Sequence, residues 1–192
     1  MKTLIVDSAT NLLYVCLVID EKIIYEVYHE SNHEHSKAIV VEIEKALKLA
    51  NIKALDLNKV IVGIGPGSYT GVRMGVTVGK TLALSDHIEL YQISTLVLMA
   101  SGSKGKVLSM IDARRGNCFG CIYDIDNSNY VVEEVLINKE ELMANKYDNL
   151  VNELEFKVNP LKVIKLATKV NEPRTLIPNY LRATEAERNL NA

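Results

Sequence analysis

The sequence predicts an α/β fold built on a repeated unit. Two sets of three strand-like segments each lead into a helix-prone stretch, which reads as an internal duplication. In both sets an Asp ends the first strand and a Cys follows nine residues later, Asp7 with Cys16 and Asp112 with Cys121. The second copy is cut short: about sixty residues follow the third strand in the first set, and about forty precede Pro178 in the second.

The elements follow in order. Residues 2–7, 12–19 and 22–29 alternate as β segments, with Asn11 and Asp20-Glu21 at the turns. Residues 36–51 form an amphipathic helix: Ile39, Val40, Ile43, Leu47 and Ala50 share a face, and Asn51 suits its C-terminal cap. A strand over 60–64 runs into a glycine turn, a helix to about Ser85 and a strand over 88–93. The second set places strands at 107–112, 117–124 and 130–137, a helix at 139–145 and a last helix over 160–170. The division implied is a lobe over 1–98, a shortened lobe over 99–182 and a polar tail over 183–192.

Composition narrows the functional classes. The 192 residues carry a net charge of −2 with dispersed Lys and Arg, a poor basis for binding nucleic acid unaided. Arg114-Arg115 reads as a solvated turn between strands. No apolar run approaches the roughly eighteen residues of a membrane span. The N-terminus reads as a first strand instead of a signal peptide, so a cytoplasmic location without membrane contact is expected. Three cysteines suit a reducing compartment. Cys118 and Cys121 form a C-x-x-C, but three residues apart on a strand they face opposite ways and share neither metal nor disulfide.

The stretch Gly63-Ile-Gly-Pro-Gly-Ser-Tyr-Thr-Gly-Val-Arg-Met-Gly75 packs five glycines into thirteen residues. It fails the dinucleotide fingerprint, because Ser68 or Thr70 stands in the third glycine slot. It fails the P-loop too, since Met74 stands in the first slot and 75–78 is helical, with its amides already spent. Nor is it a nucleophile elbow, because Ser68 is three residues from Gly71. Ser68, with Thr70 in competition, reads as the cap of the helix that follows. His29 and His33 have helical metal-ligand spacing but lie at a strand end and in a loop, and His35 enters a helix, so no metal site is expected. No catalytic residue set emerges.

The helix itself carries the signal. Gly71, Gly75, Gly79 and Ala83 fall four apart on one arc, Met74, Val78 and Leu82 on another, and Arg73, Thr77, Lys80 and Thr81 make a narrow polar stripe. A helix apolar around most of its circumference is buried on two sides, by its own sheet and by a second body; the alternative is that its glycines serve close packing on its own domain alone. The expected partner interface is therefore Gly71, Arg73, Met74, Gly75, Val78, Gly79, Leu82 and Ala83, with Ile39 and Ile43 from the preceding helix.

Gly65-Pro-Gly-Ser-Tyr-Thr-Gly-Val-Arg-Met-Gly75 resembles the glycine-rich hallmark of the TsaB (YeaZ) family. The likeness continues, in the family's order, through Asp7-Ser-Ala-Thr10, His35-Ser36, Asp112-Ala-Arg-Arg-Gly116 and Pro178-Asn-Tyr-Leu-Arg182. The resemblance implies the actin/hexokinase/Hsp70-like fold, two RNase H-like βββαβα halves with the second truncated. It implies a non-catalytic subunit in synthesis of tRNA threonylcarbamoyladenosine. TsaD would be its main partner, TsaE a further one, a second copy of itself the partner when TsaD is absent, and tRNA a contact only through the complex. No cofactor is expected on the chain alone. Superfamily kinases place a metal-linked carboxylate where Asp7 stands and follow it with a glycine, which Ser8-Ala-Thr-Asn11 lacks. Asp7 and Ser8 are thus expected at most to contribute to a nucleotide site shared at the partner interface. The alternatives are a small actin-like kinase or ATPase using Asp7, or a metallopeptidase on His29, His33 and His35.

Overall fold

The computed structural model describes residues 1–30, 35–85 and 87–181. Strands β1 (Lys2–Asp7), β2 (Leu12–Ile19) and β3 (Lys22–Glu30) form an antiparallel meander. Helix α1 (His35–Leu49), strand β4 (Lys59–Gly63), helix α2 (Tyr69–Leu82) and strand β5 (Glu89–Ile93) follow. β4 lies parallel to β1, and β5 lies parallel to β4. After helix α3 (Thr95–Ala100), a second meander runs through β6 (Lys106–Arg114), β7 (Asn117–Asp124) and β8 (Asn129–Asn138). Helix α4 (Lys139–Met143), strand β9 (Asn149–Asn152), helix α5 (Pro160–Leu166) and the two-residue strand β10 (Thr168–Lys169) complete the order.

The duplication is visible in strand order. The first sheet runs β10-β5-β4-β1-β2-β3 and the second β8-β7-β6-β9. Each has three antiparallel strands and a fourth that returns parallel to the first, β4 beside β1 and β9 beside β6. This is the duplicated α/β plan of the actin/hexokinase/Hsp70-like class, and among the described residues the second sheet has no counterpart of β5. The paired Asp and Cys residues sit one register apart. Cys16 faces Ile5 and Cys121 faces Ser109, two and three residues before the respective Asp, because Asp7 pairs with Tyr14 but Asp112 pairs with Cys118, one residue nearer.

Alternation along the strands builds the layers. On one face of the first sheet Leu4, Val6, Leu13, Val15, Val60 and Val62 pack under α1 and α2. On the other, Ile5, Tyr14, Cys16 and Ile61 meet α3, α5 and the inner face of the second sheet. Leu108, Met110, Cys118 and Ile122 on that sheet's outer face pack against Leu142 of α4. Cys118 and Cys121 therefore belong to different cores, as their spacing predicts.

Three elements depart from the sequence reading. Helix α3 is wholly buried, so it carries no amphipathic period, and only the Ser94 cap announces it. β9 offers just Leu150 and Val151 between asparagines. The helix expected over 160–170 stops at Leu166, and Thr168 and Lys169 turn extended to pair with Gln92 and Tyr91 of β5. No helix among the described residues is long and apolar enough to cross a membrane.

Candidate functional site

The end of β1 and the glycine turn after β4 interlock. Asp7 is 2% exposed. Its Oδ2 accepts from the Thr95 hydroxyl at 2.6 Å and its Oδ1 from the Ala9 amide at 2.9 Å. Thr95 Oγ1 in turn accepts from the Gly65 amide at 3.1 Å, and the Thr95 amide donates to Gly65 O at 2.9 Å. Burial raises the Asp7 pKa, and the Thr95 and Ala9 hydrogen bonds oppose that rise in part. Ser8 donates its hydroxyl to Gly71 O at 2.7 Å, and the Ser68 amide donates to Ala9 O at 2.7 Å. The glycine turn thus closes over 7–9. Asp7 and Ser8, expected at most to contribute to a shared nucleotide site, are both buried, with the Asp7 carboxylate and the Ser8 hydroxyl hydrogen-bonded inside the fold.

Ser68 caps α2, its Oγ accepting from the Gly71 amide at 3.3 Å. The next turns show which way the helix faces. A Cβ on Gly71 would lie 2.0 Å from Ser8 O, one on Gly75 2.9 Å from Ser8 Oγ, and one on Gly79 2.4 Å from Val62 Cγ1. The glycine arc faces the chain's own sheet, which corrects its assignment to a partner surface. Ile43 is buried beneath α1 in the same core, and Leu82 and Ala83 pack partly against it. The outward side is different. Ile39 and Val40 of α1 and Tyr69, Arg73, Met74 and Val78 of α2 line an open groove of about 410 Å³. Val40 is 59% exposed and Tyr69 46%. The groove keeps Arg73, Met74, Val78 and Ile39 from the predicted set and adds Val40 and Tyr69. Both were legible, Val40 on the apolar face of its helix and Tyr69 within the glycine motif.

A larger cleft of about 770 Å³ lies between the end of α2 and residues 169–174. Two of its cations are already engaged: Lys80 Nζ donates to Leu176 O at 3.0 Å, and Lys169 pairs with Glu89. The apolar groove is the better candidate site.

A family model described as TsaD, tRNA N6-adenosine threonylcarbamoyltransferase, matches residues 23–176. A Bacillus subtilis (strain 168) protein named tRNA threonylcarbamoyladenosine biosynthesis protein TsaB is 32% identical over 139 residues, 71% of this chain and 60% of that one. An Escherichia coli (strain K12) protein of the same name is 32% identical over 67% of this chain and 57% of its own length. The crystal structure of YeaZ from Pseudomonas aeruginosa has a TM-score of 0.76 at 18% identity, covering 94% of this chain and 99% of that one. The chain belongs to the TsaB/YeaZ family. It spans 60% of the Bacillus relative and 57% of the Escherichia one.

The remaining candidates in this TsaB/YeaZ-family chain fall into place around the helix pair. His29, on β3, lies with its Nδ1 3.3 Å from Oε1 of Glu42, a buried carboxylate that also takes Tyr25 OH and Lys45 Nζ. His33 and the side chain of His35 lie outside the described residues, as do Arg182 and the polar tail. Among the described residues no group of three or more His, Cys, Asp or Glu is placed to hold a metal ion.

Two predictions arise from this geometry. Gly79→Leu overpacks the helix–sheet contact at Val62 and costs about 3 kcal/mol or more in urea unfolding; unchanged stability would contradict the inward orientation. Asp7 holds its proton more tightly when folded, because its pKa is raised. Its contribution is therefore complete below the ordinary carboxylate range and is lost as pH rises through the raised value. Asp7→Asn removes that share of the slope, so melting curves of variant and wild type plotted against pH diverge above about pH 4; parallel curves would refute it.

Proposed function

We propose that this chain acts in tRNA threonylcarbamoyladenosine biosynthesis as a non-catalytic subunit that docks TsaD through the α1–α2 face. The observation that carries the reading is the uncovered apolar groove on the outward side of the helix pair. Apolar floor with an Arg and a Tyr at the rim is the composition of protein interfaces, where aromatic residues, Met and Arg concentrate. The non-catalytic role draws support from Asp7, whose carboxylate is turned inward onto Thr95 and Ala9. A phosphoryl-transfer site needs its carboxylate facing a ligand. In this scheme TsaE joins the TsaD complex, tRNA meets the chain only there, and a second copy occupies the groove when TsaD is absent.

The test is direct. Val40→Glu combined with Met74→Glu places two carboxylates on the groove floor. TsaD binding measured by calorimetry should weaken by a factor of about thirty or more, the loss of a central anchor, with the melting temperature held within a few degrees. Full retention of TsaD binding would refute the docking site. The same variant should stay monomeric in light scattering at concentrations where the parent chain self-associates. A titration of the isolated chain with Mg-ATP should give no saturable heat; saturable binding would favour the kinase or ATPase alternative.

A further inference from the structure

Residues 176–180 are held to the body of the protein at four unlike points. The Leu176 side chain is buried in the core beneath α1 and α2, and its carbonyl accepts from Lys80 Nζ at 3.0 Å. The Asn179 amide donates to Ile64 O at 2.7 Å, at the mouth of the glycine turn. The Asn179 side chain donates its Nδ2 to Oε2 of Glu134 at 2.5 Å, reaching β8 of the second sheet. The Tyr180 ring stacks on Tyr69, with centroids 5.2 Å apart and planes at 29°. Tyr69 is itself pinned by Arg73, whose NH1 donates to the Tyr69 hydroxyl at 2.6 Å. One short segment therefore touches the second sheet at one end of its reach and the rim of the apolar groove at the other.

Glu134 is an expensive choice for a surface tie. Burial raises its pKa, and the hydrogen bonds it receives, from Tyr130 OH at 2.9 Å and from Asn179 among others, offset that cost. A carboxylate retained in such a place is worth its desolvation only while its donors stay in position. Val135 and Leu136, its neighbours on β8, show that an apolar side chain is tolerated along the same strand.

We propose that residues 176–180 form a latch that fixes the Tyr69–Arg73 rim of the groove to the second sheet, with Glu134 and Asn179 as its catch. The two are positioning residues: they touch no partner, and they act by holding Tyr180 against Tyr69. This rests on the docking role of the α1–α2 face and adds what sets the shape of its rim.

Hydrogen–deuterium exchange on the full chain tests the latch without any partner. The Asn179 amide, bonded to Ile64 O, reports whether the segment is seated. Glu134→Ala and Asn179→Ala should each speed its exchange roughly tenfold, the loss of one charged hydrogen bond, while amides of β1 and β4 stay protected. The double variant should exchange no faster than either single, because both remove the same contact. Each single variant should also weaken TsaD binding severalfold, whereas Val40→Glu weakens binding and leaves Asn179 exchange unchanged. Unaltered Asn179 exchange in Glu134→Ala, or additive effects in the double variant, would overturn the latch. Faster exchange with undiminished TsaD binding would overturn its link to the rim. Failure of Val40→Glu to weaken binding would instead overturn the docking face, and the exchange result would stand on its own.

Discussion

Where α2 crosses the turn after β1, no side chain separates the two backbones. Gly71 lies so close to Ser8 that a single added methyl would stand 2.0 Å from its carbonyl oxygen. Ser8 answers by donating its hydroxyl to Gly71 O at 2.7 Å, and the Ser68 amide binds Ala9 O. On the other face of β1 the Asp7 side chain packs on Gly63 of β4, where an added Cβ would stand 1.6 Å from its Oδ2, and it takes Thr95 as its donor. Thr95 opens α3, the helix between the two sheets. Two missing side chains, Gly71 on α2 and Gly63 on β4, thus let the end of β1 seat against the helix pair on one face and against α3 on the other.

The same contact decides what the outer side of α2 does. A helix can commit small residues to one neighbour only on one arc, since positions four apart share a face. Once Gly71, Gly75 and Gly79 are spent on the sheet, Met74 and Val78 are carried outward beside Val40. The glycines therefore bear on the groove indirectly, by setting how deep α2 sits and how α1 and α2 meet above it. A phosphate cradle and this packing also compete for the same groups, because the Gly65 and Ser68 amides of the turn are bonded to Thr95 Oγ1 and Ala9 O.

How much of this was legible in the sequence depended on periodicity. Strands β1, β2 and β7 have the bounds that alternation predicts, and α1 and α2 fall where their periods put them. Helix α3 escaped because Thr95, Leu96, Val97, Leu98, Met99 and Ala100 are all buried, and a segment surrounded by core has no polar face to set a period. β10 escaped because two residues carry no pattern at all. The glycine arc was recognised as a close-packing surface, but spacing cannot say which neighbour it packs on; only the position of Ser8 and Val62 settles that. Glu134 and Asn179 lie 45 residues apart and follow no motif spacing, so nothing in the chain announces their contact.

After α5 the chain crosses to the edge of the first sheet. In the first sheet β5 is the fifth strand, and its outer edge offers unpaired amides and carbonyls, a ready template for wrong pairing. Among the described residues the second sheet has no strand in that place. After α5 the chain lays Thr168 and Lys169 along β5, with the Val170 amide donating to Leu90 O. Lys169 adds a charge on that edge and pairs with Glu89. Having crossed to the first sheet, the segment continues past Leu176 and the glycine turn to Tyr69. This path brings Tyr180 against the outward side of α2, beside the groove that α2 shares with α1.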